Sequence, residues 1–146
     1  MDHEEALRRF ATATVARLAT VGSEGRPHLV PITFALVDSH TLVTAVDHKP
    51  KRTRALVRLA NIEANPRVSV LVDHYEDDWE RLWWVRADGL ARVREAAPAG
   101  AAAALSERYV AYRAQPPAGP FIVVAIQRLT GWSAAYSPDG PNPLQQ

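Results

Sequence analysis

Cysteine is absent from the 146 residues, lysine occurs only at Lys49 and Lys51, and no apolar run approaches the roughly 20 residues that span a bilayer. The missing cysteines exclude disulfide frameworks, cysteine-ligated zinc, iron–sulfur clusters and thiol catalysis, and they suit a reducing compartment. The missing apolar run excludes a membrane-spanning helix. Because the opening MDHEEALRRF is acidic where a secretory leader would be basic, a soluble cytoplasmic protein without a membrane partner is expected. Charge of one sign is also lacking: 17 Lys and Arg against 16 Asp and Glu leave a net +1, too balanced for a protein whose task is to bind a nucleic-acid backbone. No Gly-x-Gly-x-x-Gly, no Walker-type loop, no His-Glu-x-x-His and no Gly-x-Ser-x-Gly occurs, so the usual dinucleotide, nucleotide-phosphate, zinc-peptidase and serine-hydrolase sites are excluded.

What is present is an ordinary globular composition, 47% hydrophobic and 23% charged. A chain of this length buries about 70% of its unfolded surface around one core. A single domain is expected over residues 1–137, with a flexible tail at 138–146. The opening DHEEALRRFAT places an N-cap candidate, Asp2, three residues before Glu5, with Leu7, Phe10 and Ala11 at helical spacing. ARLATV, HLVPITFALV and TLVTAV read as three β segments of an antiparallel meander, joined by the turn formers GSEGRP and DSH. Pro27 and Pro31 restrict the second segment to an edge or an irregular position. Leu56, Leu59 and Ile62 predict a helix from Pro50 to Asn65, stopped by Asn65-Pro66. RVSVLVDHY and LWWVRADGLARVR resume the sheet, with Gly89 at a bulge or a close approach. PAGAAAALSERYVAYRA predicts a third helix and FIVVAIQRLTGWSAAY the last strands. Six or seven strands with three interspersed short helices and no βαβ alternation predict a mainly β fold, a small barrel decorated by helices.

Asp38-Ser39-His40 holds the residue types of a triad, but neighbours on a tight turn cannot converge as a triad must. His74 with Asp73, Glu76, Asp77 and Asp78 reads as a solvated acidic loop, and no metal site is expected. The informative segment is TAVDHKPKRTRALVRLANIEANP, where a strand runs directly into a basic loop that opens a helix. Lys49, Lys51, Arg52 and Arg54 there present several cationic donors beside the free N–H groups of a first helical turn, a combination that suits phosphate. Taken alone, the same cluster reads equally as a solvated basic face. Trp83 and Trp84 point to opposite faces of their strand, so one fills the core while the other meets a partner or ligand.

The order of helix, meander, TAVDHK strand end, basic helix start, Asn65-Pro66-Arg67-Val68 and a late Gly131-Trp132 resembles the flavin- and deazaflavin-binding split β-barrel family related to pyridoxamine phosphate oxidase. The stretch from DHKPKRTRALV to RADG, with RLTGW, is similar to an actinobacterial branch of coenzyme F420-dependent enzymes. The resemblance implies an FMN-binding-type split barrel, a homodimer with cofactor sites at its interface, and phosphate contacts from Lys49, Lys51, Arg52 and Arg54, with Lys51 and Arg52 favoured. It also implies that the ring system lies along Pro31, Ile32, Thr33, Thr44, Ala45 and Val46, with Trp84 as an aromatic neighbour. The activity implied is F420-dependent hydride transfer to a conjugated small-molecule acceptor. FMN is the alternative cofactor, and a non-catalytic cofactor- or tetrapyrrole-binding role the alternative function. No residue is assigned as catalytic.

Overall fold

The computed structural model describes residues 1–46 and 52–134. The chain begins with α1 (His3–Thr12), followed by β1 (Ala16–Val21), β2 (Pro27–Ile32), β3 (Ala35–Asp38), β4 (Thr41–Ala45) and α2 (Arg52–Ala64). After these come β5 (Arg67–His74), a 3-10 turn (Trp79–Arg81), β6 (Trp83–Arg94), α3 (Ala101–Arg108), α4 (Val110–Ala114) and β7 (Phe121–Ser133). All seven strands form one antiparallel sheet in the order β2-β1-β5-β6-β7-β4-β3. The expected mainly β fold with short helices is the fold observed.

Local chemistry accounts for the elements. Asp2 caps α1, its Oδ1 accepting the Glu5 N–H at 2.8 Å, and Glu4 and Glu5 in the first turn with Arg9 in the last complement the helix dipole. Pro27 and Pro31 sit on β2, the sheet edge, where a missing N–H costs no ladder bond. Asp38 closes the β3–β4 turn by accepting the His40 N–H at 2.8 Å, and that backbone bond holds its carboxyl below the usual carboxylate range.

Alternation divides the apolar residues into two clusters. Phe10, Leu18, Phe34, Leu42, Val70, Val72, Val85, Ile122 and Val124 form the first, and Phe10 meets Phe34 edge-on at 5.3 Å. Ala35, Val43, Ala45, Phe121 and Val123 point the other way, onto Ala101, Leu105 and Tyr112 of the α3–α4 pair. Each large side chain removed from water here contributes about 1.5–3 kcal/mol.

Three elements differ from the sequence reading. HLVPITFALV is two strands, because Tyr109 Oη accepts the Phe34 N–H at 3.0 Å and Arg108 donates to the Phe34 carbonyl at 3.1 Å, taking both groups from the ladder. The alanine-rich helix is likewise two, α3 and α4, separated by Tyr109 in an extended conformation (φ −120°, ψ 116°). FIVVAIQRLTGWS is one continuous strand, β7, which pairs along nearly its whole length with β6 and shifts register at Asp88/Gly89. No helix among the described residues is long and apolar enough to cross a membrane.

Candidate functional site

Strand β4 delivers the chain to the basic segment, and its alternation decides what each expected ring-side residue does. Leu42 and Val46 join the first cluster and Val43 and Ala45 the second, so Thr44 shares the inward face of Leu42 and Val46. Thr44 is 1% exposed. The strand end is pinned where the Val46 N–H donates to the Pro120 carbonyl at 2.9 Å. Ile32 is buried in the same cluster as Val46, while its neighbours Pro31 and Thr33 are exposed. Ile32 and Val46 thus belong to one cluster, with Thr44 on the same side of β4 as Val46 and Ala45 on the other. Trp84 stands apart within the chain, on β6, opposite Asp73 of β5 and Trp132 of β7. Because Val85 is core, Trp84 points to the outward face of the sheet.

Lys49 and Lys51 lie outside the described residues. Arg52 and Arg54 open α2, and their side chains lie outside them as well. The far end of α2 is locked in place. Asn61 Nδ2 donates to Thr20 Oγ1 of β1 at 3.1 Å, the Asn65 side chain accepts the Arg67 N–H at 3.1 Å, and the Pro66 carbonyl accepts the Ala91 N–H at 2.7 Å. The N-terminus of α2 breaks a rule that α1 obeys: its first turn contains no acidic residue and begins with arginine. Positive side chains at that end oppose the helix dipole, and an anion bound there reverses the penalty.

Sequence reasoning missed the group that shapes the Thr33–Phe34 turn. Arg108 stacks on the Phe34 ring, 4.8 Å from its centroid, and donates to the carbonyls of Phe34 and Ala13. Tyr109 Oη also donates to the Thr14 carbonyl at 2.9 Å, and Thr33 Oγ1 lies 3.3 Å from Tyr112 Oη. These residues position the exposed Pro31 and Thr33. The available signal was Arg-Tyr-x-x-Tyr-Arg inside an otherwise alanine-rich helix.

A cleft of about 440 Å³ opens elsewhere, between α1 and the β5–β6 connection, and none of the expected ring-side residues lines it. Arg9, His74, Glu80, Arg81, Leu82, Trp83 and Ser133 line it. Arg9 lies 4.9 Å from the centroid of the Trp83 ring, and the His74 ring is stacked with the same indole at 6.1 Å. Glu76 is bonded to both His74 Nε2 and Arg81. Among the described residues no group of three or more His, Asp or Glu could hold a metal ion.

A seven-stranded antiparallel sheet with short helices packed on it is the architecture of a split-barrel protein. The sequence model for pyridoxamine 5'-phosphate oxidase matches residues 3–133, and the chain belongs to that family. Solved structures of the same fold include a conserved hypothetical protein from Mycobacterium tuberculosis, 21% identical over 97% of this chain and 90% of the other, with a TM-score of 0.70. A FAD-binding protein from Mesorhizobium loti is 24% identical over 90% of this chain and 92% of the other (TM-score 0.61). A heme storage protein from Vibrio cholerae is 18% identical over 89% and 90% (TM-score 0.62). These identities speak to fold alone. No curated protein matches the sequence.

Proposed function

We propose that this chain is a coenzyme F420-dependent oxidoreductase that acts as a homodimer and transfers a hydride between the deazaflavin ring and a conjugated small-molecule acceptor. The observation that carries the reading is the start of α2, where Arg52 and Arg54 follow the lysines and no acid occupies the first turn. A cofactor phosphate supplies the negative charge this terminus lacks, so the donor set fits the group. Lys51 and Arg52 are its principal ligands, with Lys49 and Arg54 flanking. The resemblance of the stretch from DHKPKRTRALV to RADG, with RLTGW, to an actinobacterial branch of F420-dependent enzymes favours the deazaflavin.

The bound cofactor supplies the hydride chemistry, and the protein binds, orients and excludes water. The Thr33–Phe34 turn, stiffened by Arg108 and Tyr109, holds Pro31 and Thr33 at the surface beside buried Ile32. Thr44 and Val46 are buried on the inward face of the strand end and Ala45 on the other, and rigid packing on both sides holds this strand end in place beside the ring. Trp84 belongs to the outward face and contributes from a partner subunit.

FMN is the second reading, supported by FAD-binding proteins among the solved structures of this fold, and the heme storage protein keeps a non-catalytic role as the third. Side-by-side fluorescence titration with oxidised F420 and FMN separates them. The expected result is micromolar or tighter F420 binding, weaker FMN binding, and a loss of about tenfold or more when Lys51 and Arg52 are both replaced by alanine. Reversed preference makes the protein an FMN flavoprotein, and unchanged affinity in the double variant removes the phosphate site from this segment.

A further inference from the structure

We propose that the cleft between α1 and the β5–β6 connection is a separate ligand site that takes a small amphoteric molecule carrying a planar apolar group. Two poles of charge carry the argument. At the first, Arg9 is held over the Trp83 indole by an ion pair to Glu5 at 2.7 Å, which occupies one of its terminal nitrogens. A guanidinium has five N–H donors, so the remaining ones are free to meet a carboxylate. Arg81 is the second cation of the cleft. Its side chain is 70% exposed and its ion pair to Glu76 is 3.2 Å long, so the guanidinium has donors left for a ligand carboxylate.

The second pole is Glu80, which lines the same cleft and has no ion pair among the described residues. A simple anion entering the cleft meets Glu80, and a simple cation meets both arginines. A molecule with one carboxylate and one ammonium group satisfies both poles. Trp83, whose ring carries Arg9 and lies nearly parallel to the His74 ring, lines the cleft together with Leu82, and these two supply its apolar part. The Ala134 N–H bond to the Leu82 carbonyl at 3.0 Å fixes that end. The volume, about 440 Å³, falls within the range of about 300–1,000 Å³ typical of small-molecule sites. The cleft uses no residue of the basic segment, so it stands independently of the cofactor reading.

Proton–nitrogen NMR of the full chain tests the proposal, with the Trp83 indole signal assigned by Trp83→Phe. Three probes are titrated: L-phenylalanine, phenethylamine and phenylacetate. A saturable shift of the Trp83 signal is expected with L-phenylalanine, with each singly charged probe binding about tenfold more weakly. Glu80→Gln and Arg81→Gln, both at exposed positions, each weaken L-phenylalanine by a similar factor and leave the remainder of the spectrum in place. No saturable shift, equal binding of the three probes, or binding that survives both variants overturns the site. F420 titration of the same two variants is expected to be unchanged, so failure of the cofactor reading is seen separately.

Discussion

Gly89 lies where β6 and β7 change register, and its side-chain-free Cα is what lets the two backbones approach. A Cβ there would stand 2.3 Å from the Ala125 carbonyl oxygen and 3.0 Å from its carbon, both backbone atoms that cannot step aside. Gly131, in the same strand pair, is the informative contrast. Its Cβ would meet Met1 Sδ at 2.6 Å, the far end of a flexible side chain, and Ala6 Cβ at 3.2 Å. Gly89→Ala is therefore expected to destabilise the protein by about 1–3 kcal/mol, the usual cost of overpacking, and Gly131→Ala by less. Thermal unfolding of the two variants beside the parent checks the order. Equal midpoints would mean that the β6–β7 register relaxes around the new methyl group. Gly89 was legible in the sequence because a glycine inside a long apolar strand has few other uses. Arg108 and Tyr109 were not legible as shapers of the Thr33–Phe34 turn, since the carbonyls they bind belong to Ala13, Thr14 and Phe34, far away along the chain.

At the scale of elements, α1 rests on one local device and one packed face. The Asp2 carboxylate satisfies the Glu5 N–H, while Ala6 and Phe10 lie buried against the sheet. Asp2→Ala is expected to cost about 1 kcal/mol, with Asp2→Asn retaining most of the cap. Urea unfolding measures both, and an unchanged midpoint for Asp2→Ala would mean that burial of Phe10 alone holds the helix. Caps, prolines and alternation are local signals, which is why α1, the edge position of β2 and the opposed faces of Trp83 and Trp84 could be read from the sequence. The divisions between β2 and β3 and between α3 and α4 could not. Both depend on Tyr109, whose extended backbone interrupts the helix and whose hydroxyl takes the Phe34 N–H from the strand ladder. No window of sequence contains both partners. The candidate site divides in the same way: a basic helix start without acids is a local pattern, whereas the cleft under Arg9 forms only when α1 meets the paired ends of β5, β6 and β7.

At the scale of the whole molecule, the α3–α4 pair covers β3, β4 and the start of β7 on the outer face of the sheet, and no described helix covers β5, the start of β6 and the end of β7. Because Val70, Val72, Val85 and Ala6 with Gly131 define the inner side, Leu71, Trp84, Thr130 and Trp132 point outward. Leu29 on the neighbouring edge is 67% exposed. Thr130 Oγ1 and Trp132 Nε1 are both buried and have no hydrogen-bond partner among the described residues. Two charged pairs flank the apolar row, Arg17 with Asp73 at 2.8 Å and Arg86 with Asp88 at 3.0 Å. Apolar centre, aromatic anchors and polar rim are the anatomy of a protein interface, and a second copy meeting this face about a two-fold axis would bury the row on both sides. The proposed homodimer is therefore expected to form here, and sedimentation equilibrium of the parent is expected to give the dimer mass. Leu71→Arg places a third guanidinium between Arg17 and Arg86, its cross-strand neighbours on β1 and β6, and is expected to shift the mass to that of the monomer. If the cofactor sites lie at the interface, the same variant loses F420 affinity although Leu71 lies outside the basic segment. A parent that is itself monomeric removes the dimer, and a monomeric variant that still binds F420 at full strength confines the cofactor site to a single chain.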